Sequence, residues 1–181
     1  MQVIHGNKYG PGINKPTGIG LGNFDGLHTG HMVLINKTIE ESCRRGLSSV
    51  VYTFTSHPEN VLHKERFTPL LTTVEKKIEI LEKTTRLDYI YFDEFDEEFS
   101  TLSPEEFVAR VLVERLGVRL AVAGYNYTFG HRGQGNIGLL KELGRKYNFD
   151  VIEIPPVMAN GEPVSSTLIR KYVAMGNMDK V

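Results

Sequence analysis

Residues 17–31 read TGIGLGNFDGLHTGH. The stretch opens as a short apolar run carrying Ile19 and Leu21. It then turns through Gly22, Asn23, Phe24, Asp25 and Gly26, and sets His28 and His31 around Gly30. Immediately downstream, Leu34, Ile35 and Ile39 recur at helical spacing. A strand, a glycine-bearing turn and a helix start, in that order, make a phosphate site. The turn lets backbone N–H groups approach an anion, and the helix N-terminus adds roughly half a positive charge. Two imidazoles three residues apart face that point from one side of the first helical turn. Gly22, Asn23, Phe24, Asp25 and Gly30 are therefore candidate anion-binding positions, with His28 and His31 as side-chain donors.

Working outward, residues 1–16 hold two prolines with little periodicity and read as a short opening strand and loop. Residues 17–21 are the first clear strand. Residues 31–45 form a helix closed by Gly46, and residues 48–54, SSVVYTF, form a second strand. Residues 55–69 are irregular. Thr72 and Glu75 stand at capping-box spacing before a helix that runs to about residue 85 and buries Val74, Ile78 and Leu81. A third strand covers residues 88–92. Ser103-Pro104-Glu105-Glu106 repeats the helix-start signal with proline at N1, before a helix with Phe107, Val111 and Leu112 on one face, ending at Gly117. Residues 119–123 read as strand, 136–147 as helix, 150–154 as strand and 165–175 as a final helix. Strands alternating with helices predict an α/β fold: a Rossmann-like open parallel sheet with helices on both faces. Ligands in such sheets bind beyond the carboxyl ends of the strands, so the loops there are where chemistry is expected.

Three of those segments carry candidates. After the second strand comes Phe54-Thr55-Ser56-His57-Pro58. After the fourth comes residues 124–136, GYNYTFGHRGQGN, with Tyr125, Tyr127 and Phe129 within five residues. Such aromatics at a carboxyl edge suit a flat heteroaromatic ring; the alternative is that they pack back beneath the loop as a satellite of the core. Before the last helix, residues 164–170 read VSSTLIR. Ser165 or Ser166 can cap that helix and leave free N–H groups outward, with Thr167 beside them and Arg170 one turn on as a fork of donors.

The composition sets bounds. At 181 residues the length suits one domain with a sizeable core. Twenty-one basic against twenty-two acidic side chains give a formal charge of −1, which argues against a nucleic-acid surface. One cysteine, Cys43, gives no disulfide framework and fits a reducing cytoplasm. No apolar window is long enough for a membrane span. No G-x-x-x-x-G-K-[S/T] loop and no G-x-S-x-G elbow occurs, which sets aside a P-loop kinase and an α/β-hydrolase nucleophile.

The run GNFDGLHTGH resembles the signature of the HxGH nucleotidyltransferase superfamily. More narrowly, it is similar to the G-x-F-D-G-x-H-x-G-H of the FMN adenylyltransferase module of prokaryotic FAD synthetases. The other three segments match that family in order: F-x-P-H-P, with Ser56 at the usual proline; G-x-D/N-F-x-F-G, with Asn126 at the polar position and Tyr127 for phenylalanine; and S-S-T-x-I-R in full. The resemblance implies transfer of AMP from ATP to FMN, the FMN phosphate attacking the α-phosphorus while pyrophosphate leaves, and FAD as product. It implies that His28 and His31 bond the α/β-phosphate oxygens, and that Ser166 and Arg170 join them. It places Asn126 between flavin and phosphates, and flavin contacts at Phe54, His57, Pro58, Tyr125, Tyr127 and Phe129. Mg²⁺ bridging phosphate oxygens is implied, with no definite protein ligand. Family members usually continue into a riboflavin kinase module, and the present residues carry no expectation of that activity. Two alternatives stay open: another HxGH adenylyltransferase, acting on nicotinamide mononucleotide or phosphopantetheine, and a non-catalytic flavin-nucleotide-binding regulator.

Overall fold

In a computed structural model, which describes residues 1–7, 10–62, 65, 68–159 and 161–177, six strands form one parallel sheet. They are β1 (Gln2–His5), β2 (Thr17–Leu21), β3 (Ser48–Phe54), β4 (Tyr89–Asp93), β5 (Val118–Gly124) and β6 (Asp150–Ile154). Their order across the sheet is β1-β4-β3-β2-β5-β6, and each neighbouring pair is parallel. From β2 the chain first winds outward through β3 and β4, then returns to the other side of β2 for β5 and β6. That reversal opens a crevice at the carboxyl ends of β2 and β5, where a ligand is expected.

The helices are α1 (Thr29–Arg44), α2 (Pro58–Leu62), α3 (Val74–Thr84), α4 (Pro104–Glu106, running on as the π-helical Phe107–Arg115), α5 (Ile137–Tyr147) and α6 (Ser166–Ala174). Strand alternation divides the core in two. Ile19, Leu21, Val50, Tyr52 and Tyr91 face α4 and α5, meeting Phe107, Leu112 and Leu140. Val51, Ile90, Phe92, Leu120 and Val122 face α1 and α3, meeting Leu34, Ile35 and Leu81. The expected sheet covered on both faces is what forms.

On β2 the residues facing α1 are Gly18 and Gly20. A Cβ on Gly20 would sit 2.8 Å from Thr38 Oγ1 and 3.0 Å from Leu34 Cδ2. Their absence lets α1 lie directly on β2, so the turn between them is short and its histidines stand over the strand's end. The far end of α1 closes as expected: Gly46 takes φ +66°, and the Gly46 and Leu47 N–H groups donate to Cys43 and Ser42 carbonyls, a Schellman ending.

Three elements differ from the sequence reading. Thr73, not Thr72, caps α3, its hydroxyl accepting the Lys76 N–H at 3.2 Å; Thr72 is drawn off to bond the turn after β2. Residues 55–69 contain the short α2, while residues 63, 64, 66 and 67 lie outside the described part. A two-stranded hairpin, β7 (Met158–Ala159) with β8 (Glu162–Pro163), precedes α6. Two-residue strands give no period for a sequence to show.

Candidate active site

The turn after β2 is held in a conformation it would not adopt alone. Phe24 has φ 47° and Leu27 φ 39°, left-handed values costing about 1–2 kcal/mol for a residue with a Cβ. Phe24 is held there by burial: its ring is fully enclosed and lies edge-on to His31, centroids 5.3 Å apart. Phe24 and Asp25 thus offer a ligand their peptides and not their side chains. The N–H groups of Asn23, Phe24 and Asp25 have no acceptor among the described residues, while Gly26 N–H donates to Thr72 Oγ1 at 3.0 Å.

His28 is the N-cap of α1, its Nδ1 accepting the His31 N–H at 3.3 Å. That bond puts the proton of its neutral ring on Nε2. The two imidazoles stack with centroids 3.6 Å apart. Burial pushes the His31 pKa down to about 3, with help from His28 and the Lys77 charge; burial also lowers His28, against the pull of Asp25. Both rings are neutral at pH 7, each with one N–H to give. His31 Nδ1 is sealed from solvent with no partner among the described residues. Gly30 leaves room for this stack, since a Cβ there would lie 3.2 Å from the His28 ring.

Asp25, 2% exposed, joins the two ends of the chain. Its carboxylate accepts the Leu71 and Thr72 N–H groups at 2.9 and 3.0 Å and pairs with the Arg170 guanidinium. Its carbonyl accepts the Ser166 hydroxyl at 2.7 Å. Ser165 caps α6 by accepting the Leu168 N–H at 3.2 Å, which decides between the two serines. Thr167 is exposed at the first turn of α6. Arg170 also donates to the Pro69 carbonyl at 3.3 Å, so its first task is to bind the C-terminal corner to the turn. The corners predicted to share a phosphate are in direct contact.

The loop candidates flank this point. On one side, Phe54 ends β3 and packs edge-on against Phe95 and Phe99, centroids 5.2 and 5.5 Å away. His57 Nδ1 accepts the Glu59 N–H, and Pro58 opens α2; burial and the Arg170 charge lower the His57 pKa. On the other side, Leu21 and Ala123 are paired across β2 and β5, so Tyr125 and Asn126, both exposed, follow within three residues of the crevice. Tyr127 and Phe129 turn inward. Phe129 is 6% exposed, belongs to the core cluster, and stacks with half-buried Tyr127 at 5.7 Å. Of the three rings, Tyr125 alone is presented outward; the satellite-core alternative holds for the other two. A cavity of about 1040 Å³ lies away from the histidines, between the ends of β1 and β4 and helix α4; Phe99 in its wall is its link to Phe54.

One residue at the site was missed. Lys77 on α3 is 3% exposed, and its Nζ donates to the Asn23 carbonyl at 3.0 Å. A signal for it existed: Val74, Lys77, Ile78 and Leu81 fall at i, i+3, i+4 and i+7, so a charge sits on the apolar stripe.

A sequence profile for FAD synthetase matches residues 11–168. The chain belongs to the FAD synthetase family. Similar FAD synthetase relatives include a protein of Buchnera aphidicola from Schizaphis graminum, 35% identical over 172 residues, covering 94% of this chain and 55% of the relative. A Listeria monocytogenes protein is 36% identical over 171 residues, covering 93% and 52%. Both are described as bifunctional riboflavin kinase/FMN adenylyltransferases. The chain spans about half the length of the curated relatives it matches. Among solved structures, one described as a macrolide-efflux protein from Streptococcus pneumoniae superposes with a TM-score of 0.83 at 28% identity, covering 97% of this chain and 57% of that one. Pantoate-β-alanine ligase from Francisella tularensis gives 0.55 at 17%, covering 90% and 68%, a likeness of fold alone. No helix among the described residues is long and apolar enough to cross a membrane.

FAD synthetase membership raises the question of Mg²⁺. The donor set does not fit a resident ion. Asp25, the carboxylate of the turn, is consumed by Arg170 and two N–H groups, and no three His, Cys, Asp or Glu side chains gather to hold a metal among the described residues. A divalent ion would therefore arrive with the nucleotide, as MgATP, and not be held by these side chains.

Proposed function

We propose that residues 1–181 act as one FMN adenylyltransferase unit, transferring AMP from MgATP to FMN to give FAD and pyrophosphate. The observation that carries this reading is the contact of the two corners. Ser166 Oγ meets the Asp25 carbonyl at 2.7 Å, beside three N–H groups without acceptors among the described residues and two neutral, stacked imidazoles. A triphosphate needs neutralising from several directions, and this junction offers turn amides, imidazole N–H groups, the α6 N-terminus with Thr167, and the Arg170 charge. No nucleophile with its own base stands there among the described residues. In this reading an oxygen of the FMN phosphate attacks the α-phosphorus in line, the bond to the β-phosphate bridging oxygen breaks, and pyrophosphate leaves with that electron pair. The protein contributes position and a fixed field.

His28 and His31 would hold α/β-phosphate oxygens, and Asn126 would bridge flavin and phosphates. Tyr125, with Phe54, His57 and Pro58 opposite, would face the flavin; Tyr127 and Phe129 would support that loop from beneath. A cytoplasmic setting, where ATP and FMN meet, goes with the reading. A riboflavin kinase module, as the relatives' descriptions name, would be a separate unit.

Product analysis tests the proposal. Purified protein with MgATP and FMN should yield FAD and pyrophosphate; with riboflavin in place of FMN it should yield neither. Turnover of nicotinamide mononucleotide or phosphopantetheine in preference to FMN would replace the flavin reading. Binding of FMN and ATP without pyrophosphate release would replace catalysis with regulation.

A further inference from the structure

Lys77 stands out among the buried groups that the reading above leaves without a task. Its ammonium is enclosed beneath the turn, 3.0 Å from the Asn23 carbonyl, 3.5 Å from Thr53 Oγ1 and 5.8 Å from the centre of the Phe92 ring. It makes no ion pair with a carboxylate among the described residues; Asp25, which acts on it through space, has its oxygens engaged by Arg170, Leu71 and Thr72. Enclosing an ammonium on these terms works against stability, and a leucine or methionine would complete the apolar stripe of α3 better. A second donor converges on the same atom: Thr53 Oγ1 donates to the Asn23 carbonyl at 2.8 Å.

Two donors on one carbonyl fix the plane of the Asn23–Phe24 peptide. In a trans peptide the C=O and the following N–H point in opposite directions. With the Asn23 oxygen drawn down onto Lys77, the Phe24 N–H is turned up, away from the core, and it is one of the N–H groups lacking an acceptor among the described residues. We propose that Lys77 is the positioning residue of the phosphate turn: it holds the Asn23–Phe24 peptide with its N–H outward and keeps a positive charge directly beneath the bound triphosphate. The inference rests on the nucleotide half of the adenylyltransferase reading and deepens it.

The same charge reaches His31 and helps to keep it neutral. The titratable and charged groups facing the ammonium are Asp25 on the turn, His31 on α1 and His57 before α2, with Arg170 of α6 beyond His57. From β3 and β4 it meets Thr53 and Phe92, which do not titrate. Burial, opposed by Asp25, brings the Lys77 pKa down to about 8, so the charge is present at neutral pH and is lost as the pH rises past that value.

The experiment compares wild type with Lys77→Met and Lys77→Gln. MgATP binding is read by calorimetry without flavin, and FAD formation is read separately. Lys77→Met should keep or raise the melting temperature, weaken MgATP binding about tenfold or more, and lower kcat by about 10–100-fold, the range for a small misplacement at a reacting centre. Lys77→Gln, which keeps an N–H for the Asn23 carbonyl, should lie between the two, and it carries the comparison if Lys77→Met does not fold. Wild-type MgATP affinity should fall above a pH of about 8 with the fold intact, and both variants should lose that limb. Variants that bind MgATP within about twofold of wild type, or a wild type with no alkaline limb, overturn the proposal. A wild type that binds MgATP yet makes no FAD would overturn the flavin reading and leave Lys77 in place.

Discussion

At the scale of single residues, His31 carries two separable burdens. In the proposed reaction it would give one N–H to a phosphate oxygen where charge develops, and removing such a donor lowers kcat by about 10²–10³-fold. His31→Ala should therefore lose FAD formation to that extent while circular dichroism stays that of wild type; a folded variant keeping more than about a tenth of kcat would remove the histidine from the chemistry. As a buried base it ties stability to pH. The folded chain protonates it only near 3, whereas an unfolded histidine titrates near 6.5. Between those values the unfolded state binds more protons, so this contribution is fully present above 6.5 and drains away as the pH falls. Urea midpoints of wild type should decline from about pH 6.5 downward, and His31→Gln should decline less. The spacing of His28 and His31 was legible because three residues is a local distance on a helix. The partner of Asp25 was not, since Arg170 lies 145 residues away.

At the scale of elements, the turn, α3 and α6 are locked through one carboxylate. Asp25 is 2% exposed and satisfies the Arg170 guanidinium, two backbone N–H groups and, through its carbonyl, Ser166. Asp25→Ala leaves a cation half-buried without its partner, and such losses run to about 3–5 kcal/mol. A urea denaturation should show that loss, with MgATP binding lost alongside it; a variant within 1 kcal/mol of wild type, by the usual range for exposed pairs, would mean the lock does not hold. The ends of α3 and α6 show where element-level reading stops. Both have adjacent hydroxyl residues able to cap, Thr72 and Thr73, Ser165 and Ser166. Local chemistry cannot rank them. In each pair the hydroxyl that the turn after β2 needs is taken by the turn, and its neighbour caps the helix.

Across the whole molecule, the sheet order brings the turn, the loop after β5 and the N-terminus of α6 to one edge, so nucleotide binding should tighten elements from both halves of the chain. A ligand that binds only the folded state stabilises it by about 2.7 kcal/mol at one hundred times its Kd. MgATP at that excess should raise the melting temperature, while Mg²⁺ alone, with no carboxylate cluster to hold it among the described residues, should not. A shift with Mg²⁺ alone would contradict the reading of the ion as part of the substrate.

The sequence by itself determined the alternation of strands and helices, the glycine-bearing turn with its two histidines, and the C-terminal serine corner. All of these are written in periods and spacings within a turn or two of chain. Only the tertiary structure decided that Phe24, Asp25 and Phe129 point inward, that Arg170 closes on Asp25, and that Lys77 stands beneath Asn23. Those outcomes belong to pairs of groups remote in sequence, whose meeting depends on how the sheet orders its strands.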